Sequence, residues 1–166
     1  MTGALLASWN GFFTASAGAA ATLVGLLFVS LSVNIREILK YQHLPTRAAA
    51  TLGSLMLILV VSLTFLMPQP RWAMALEVLG ASLAVWTQHV RSAVRARAAR
   101  AAYGRPTHEV WLGLGMGQAM SVPFIVGAVL MLAGANAAMP TLAAGVILAF
   151  ALSVLNAWVL LVEILR

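Results

Sequence analysis

Residues 71–90 read RWAMALEVLGASLAVWTQHV, an apolar run broken by Glu77. At 1.5 Å per residue such a run is about as long as a ~30 Å hydrocarbon core is thick. The chain holds only 4 acidic residues, all of them glutamates, so a carboxylate here needs a reason. Whether this run crosses a bilayer decides the architecture, because it makes the number of crossings odd or even and so sets which loops share a side.

The rest of the chain places that run in lipid. The 166 residues are 62% hydrophobic and 8% charged, where a soluble domain carries about 25% charged residues. Four further apolar stretches surround it, giving five spans at about 11–34, 48–67, 72–90, 110–133 and 141–163. All five are expected to be helices, because backbone polar groups in lipid must be satisfied within the segment. The fold class read from the sequence is therefore an all-α polytopic transmembrane bundle, a single domain over 1–166.

Charge sets the orientation. Arg36, Lys40 and Arg47 follow the first span, and Arg91, Arg95, Arg97, Arg100 and Arg105 follow the third. Only Arg71 lies between the second and third spans, and no charge lies between the fourth and fifth. An odd number of crossings puts both basic loops on one side, which the positive-inside rule makes cytoplasmic. The expected topology is N-terminus out and C-terminus in, within a bacterial inner membrane. Trp9 and Trp72 then fall at the outer interface, and Trp86 and Trp111 toward the inner one. The net charge of +6 belongs to these loops and does not imply nucleic acid. The Ala/Arg-rich stretch 91–105 is expected to continue the third helix into the cytoplasm, with Gly104 and Pro106 as its stop. The arginines there set topology, and as a cluster they also suit anionic lipid.

Small residues mark packing faces. Gly145, Ala149, Ser153 and Ala157 recur every four residues in the last span, and Gly113, Gly117 and Ser121 keep the same spacing in the fourth. Such faces let helix backbones approach closely, and a short connection suggests that these two faces meet. Gly18, Thr22 and Gly25 in the first span imply burial within the monomer or against a second subunit. Pro123 removes a backbone donor in the fourth span and predicts a kink.

Glu77 lies roughly 8–9 Å inside the outer interface. Arg71, six residues earlier, is nearly opposite on the helix, so the expected partner comes from elsewhere. Thr14, Ser16, Ser62 and Thr64 lie at similar depth and make a candidate hydroxyl-lined pocket, read either as structural or as part of a cation or proton path. Gln118 and Asn156 share a depth near the cytoplasmic side, and a hydrogen bond between them is expected.

The chain has no cysteine. His43, His89 and His108 are not in any ligand spacing, and no catalytic or nucleotide-binding motif is present. No enzyme activity, cofactor or metal site is expected. The stretches WNGFFTASAGAAATLVGLLFVSLSVNIREIL and LPTRAAATL, with the proline stop before RWAMALE, resemble a family of small multi-span bacterial membrane proteins common in actinobacteria. Some of these are labelled modulators of the FtsH membrane protease. The resemblance implies a membrane-partner role and supplies no catalytic residues. Two readings follow: a homo-oligomeric channel-like bundle that passes a small ion or proton, favoured because intramembrane carboxylates commonly mark such paths, and a non-conducting accessory subunit of another membrane complex.

Overall fold

The computed structural model describes residues 3–40, 44–103 and 107–165. They form α1 (Gly3–Val33), α2 (Ile35–Lys40), α3 (Leu44–Leu66), α4 (Arg71–Tyr103), α5 (Thr107–Leu132) and α6 (Ala138–Leu165). No strand occurs among the described residues.

Four stretches are long and apolar enough to cross a membrane: Ser8–Val33, Leu44–Leu66, Gly113–Leu132 and Ala138–Val162. They match the first, second, fourth and fifth spans expected from the sequence. The run 72–90 within α4 falls short of that composition. Glu77, Thr87, Gln88 and His89 dilute it, and the arginines follow directly.

The helices pack as a ring. α3 packs on α4, α4 on α5, α5 on α6 and α6 back on α3. Antiparallel neighbours joined by short connections give this order naturally. α1 lies outside the ring, mainly against α3. Half of the α3 span is buried but only 22% of the α1 span, so α3 is the hub and α1 the periphery. Phe13 of α1 stacks on Phe65 of α3 with ring centroids 4.3 Å apart, and Leu55, Ile58, Val61, Phe124, Met131 and Leu142 fill the centre.

Each connection has a local cause. Asn34 ends α1 by donating from its side chain to the Ser30 carbonyl, and its own carbonyl accepts the first N–H groups of α2. α5 ends in a Schellman pair, with Ala135 N–H donating to the Leu130 carbonyl and Gly134 N–H to that of Met131. Gly134 has φ +76° there, the left-handed conformation glycine adopts without a Cβ penalty. A Cβ at Gly134 would also stand 3.2 Å from Arg71 Nη1. Arg71 thus lies at the negative end of the α5 dipole, a favourable place for a cation.

Candidate functional site

Glu77 takes its partner from the turn before its own helix. The α3–α4 connection is Pro68-Gln69-Pro70, and Gln69 Nε2 donates to Glu77 Oε2 at 2.9 Å and to the Thr64 carbonyl at 3.3 Å. One amide therefore ties the frayed end of α3 to the second turn of α4. Glu77 itself is exposed on the bundle surface. Of the hydroxyls expected around it, Ser16, Ser62 and Thr64 are buried, but Thr14 is exposed. The pocket expected there is replaced by the Gln69 clamp.

The polar groups that converge lie deeper, inside the ring. Ser54 of α3, Ser82 of α4, Ser121 of α5 and Ser153 of α6 are all fully buried. Ser54 Oγ stands 3.1 Å from His89 Nε2 and 3.4 Å from Met120 Sδ, joining α3, α4 and α5. Trp86 Nε1 donates to Gln118 Oε1 at 2.7 Å. Gln118 is thus bonded to α4, and not to the half-buried Asn156 of α6 as its depth suggested. Counted along their helices from the end of the bundle that carries Pro68-Gln69-Pro70, these serines, Trp86 and Gln118 lie at roughly 16–22 Å. Ser82 and Ser121 donate to carbonyls one turn back, at Val78 and Gly117. Ser62 and Ser153 have buried hydroxyls with no partner among the described residues. An unpaired buried hydroxyl costs free energy, so these are the unspent polar groups of the interior.

The close-packing residues divide between neighbours in a way spacing alone does not give. Gly145, Ala149 and Ser153 are buried and Ala157 half-buried. A Cβ on Gly145 would stand 3.0 Å from Pro123, so the proline of α5 is seated on this α6 glycine. Of the stripe Gly113, Gly117, Ser121, it is Gly117 that turns toward α4. Gly117 is buried with room for a Cβ only 2.9 Å from His89 Nδ1, Ser121 is buried, and Gly113 is exposed with nothing within 4 Å. The α5–α6 contact is made by Gly127 against Leu142 and by Pro123 against Gly145.

Span one departs most from expectation within the monomer. Gly18, Thr22 and Gly25 are all exposed, and neither glycine has a neighbour within 4 Å of a built Cβ. With Gly11, Ala15, Val29 and Ser32, also exposed, they form one stripe at alternating spacings of four and three residues. That is the period of a left-handed helix–helix seam. The signal was present in the sequence as a glycine every seventh residue, at Gly11, Gly18 and Gly25.

The basic end is partly described. Arg91 and Arg95 are exposed on one face of α4, whereas the side chains of Arg97, Arg100 and Arg105 lie outside the described residues. Among the described residues no group of histidine, cysteine or acidic side chains suits a metal ion.

An all-helical bundle with four helices long and apolar enough to cross a bilayer is compatible with an integral membrane protein of the helix-bundle class. No protein-family profile, curated protein or solved structure matches the chain.

Proposed function

We propose that the protein is a five-crossing inner-membrane bundle that self-associates through α1 and acts as a non-enzymatic accessory subunit of a membrane assembly. The observation that carries this reading is the exposed small-residue stripe of α1. Lipid tails solvate apolar side chains as well as another helix does, so association relies on close backbone approach and dispersion. A stripe of Gly, Ala, Thr and Ser, with no large side chain except Val29, offers that approach along about six turns. The resemblance to small bacterial membrane proteins, some labelled protease modulators, agrees with a subunit role.

The α4 segment is included as the third crossing because it fills the place in the ring between α3 and α5. Its polar residues Ser82, Trp86 and His89, at spacings of four and three, are buried or half-buried in the bundle. His89 and Gln88, both half-buried, supply part of the low hydropathy of α4, whereas Glu77 and Thr87 are exposed; a polar face turned into the bundle does not require the helix to lie on the surface.

Double substitution Gly18→Leu and Gly25→Leu tests the association face. Both sites are open in the monomer, so the bundle itself is expected to remain folded. The expected result is an oligomer for the wild type and at least a tenfold weaker association for the variant, read as particle mass in detergent corrected for bound micelle. A wild-type monomer at high protein concentration, or an unchanged variant, would overturn the assignment.

The polar layer inside the ring favours a second reading, a path for protons or a small ion. On the accessory reading, proteoliposomes of the wild type show no flux above protein-free liposomes. Flux that is abolished by Glu77→Gln or His89→Gln would instead establish the conducting reading.

A further inference from the structure

α3 and α4 are clamped together at their outer ends by the Pro68-Gln69-Pro70 turn, and they part toward the opposite end. There they enclose an open groove of about 530 Å³. Its inner wall is Gln88, which donates to the Ala49 carbonyl across the gap at 2.9 Å. Gly53 permits that approach, since a Cβ there would stand 2.9 Å from Gln88 Oε1. The rim carries Arg91 and Arg95 from α4 and Thr46 from the first turn of α3.

The two arginines lie one turn apart on a single helix face, which brings the bases of their side chains to within about 6 Å. Neither has an ion pair among the described residues. Of the carboxylates whose side chains are described, Glu37 is bound to Lys40 and Glu77 is held by Gln69 near the other end of α4. Two unpaired guanidinium forks converging on one groove favour an anion with several acceptor oxygens. A phosphate group can take a bidentate pair from each fork, whereas a single carboxylate satisfies only one. The first turn of α3 adds the positive end of a helix dipole on the opposite rim.

Beyond the groove along the same two helices, Met56 and Val60 of α3 are exposed, as are Gly80 and Ala84 of α4. Gly80 has nothing within 4 Å of a built Cβ. Apolar surface is therefore open on the same two helices that carry the doubly basic mouth.

We infer that this groove binds the phosphate group of an anionic phospholipid, held by Arg91 and Arg95, with its acyl chains against the exposed apolar surface of α3 and α4. Its position in the cytoplasmic leaflet rests on the five-crossing reading; its ligand chemistry does not. Binding measured in detergent has no sides, so it fails or succeeds independently of topology and of self-association.

The test compares phosphatidylglycerol, phosphatidylcholine with the same chains, and inorganic phosphate on the purified full-length protein, by native mass spectrometry and by titration. The wild type is expected to retain phosphatidylglycerol over phosphatidylcholine. Arg91→Gln with Arg95→Gln is expected to lower that affinity roughly tenfold to thirtyfold. Arg97→Gln with Arg100→Gln removes equal charge two and five residues beyond Arg95, at positions on other sides of the helix, and is expected to change it little. Inorganic phosphate competing as well as the lipid supports the phosphate chemistry and makes a soluble phosphate the occupant. Equal losses in both double variants, or none in the first, would overturn the groove as a site, as would equal retention of the two lipids.

Discussion

Replacing Gly127 by alanine is expected to destabilise the bundle by about 1–3 kcal/mol, and by valine somewhat more, the usual range for overpacking a close-packed interior. A Cβ at Gly127 would stand 2.5 Å from Leu142 Cγ and 2.6 Å from its Cδ2. Leu142 is fully buried, so it has little space to rotate into, and the α5–α6 crossing must open instead. In lipid that opening is costly because the helices are held by fit and dispersion, with little hydrophobic drive between them. Leu142→Ala alone removes buried methyl groups, a change that costs about 2–5 kcal/mol in well-packed cores. The two changes share one space, so the double variant is expected to be less destabilised than the sum by more than about 1 kcal/mol. Unfolding by denaturing detergent, followed through helix content, gives all three values. Strict additivity would mean that this contact does not set the crossing.

What the residues show before folding, and what they hide, follows from the range of the interactions. Apolar length is local, and it placed the four apolar spans of α1, α3, α5 and α6 to within about four residues, although α1 itself begins eight residues earlier, at Gly3. The extension of α4 through the arginines to Tyr103 follows from the helix propensity of Ala and Arg, while the stop expected at Gly104 and Pro106 lies outside the described residues. Four-residue spacing defines a face of small residues but not the neighbour that face meets. That is why Gly117 turned toward His89 of α4 and not toward α6. Gln118 went the same way, because depth along two helices says nothing about their rotation. Glu77 found its partner eight residues back, a separation with no helical meaning, since Gln69 lies in a turn. His89 looked like the end of a span beside arginines. Only the ring brings Ser54, 35 residues away, against its Nε2. The spacing of Ser82, Trp86 and His89 was the available clue that α4 carries a polar inner face.

That inner face makes an all-or-none prediction about sidedness. The chain has no cysteine, so single cysteines at exposed sites can report topology without background. Met67→Cys in the α3–α4 connection and Asn136→Cys in the α5–α6 connection are expected to react with a membrane-impermeant maleimide from outside intact cells. Lys40→Cys and Val94→Cys are expected to react only after permeabilisation. All four residues are exposed, and none contributes a hydrogen bond to the ring interior. On the five-crossing reading, α4 fills the seat between the apolar α3 and α5, and its two ends lie on opposite sides. Its exposed Leu76, Gly80 and Leu83 would then face lipid, with Glu77, held by Gln69, near the outer end. The basic residues at its far end would join Arg36 and Lys40 on the cytoplasmic side, in agreement with the positive-inside rule. Labelling of Val94→Cys together with Met67→Cys would place α4 along the surface and leave four crossings. Labelling of Lys40→Cys and Val94→Cys from outside, with Met67→Cys and Asn136→Cys protected, would keep five crossings and invert the bundle.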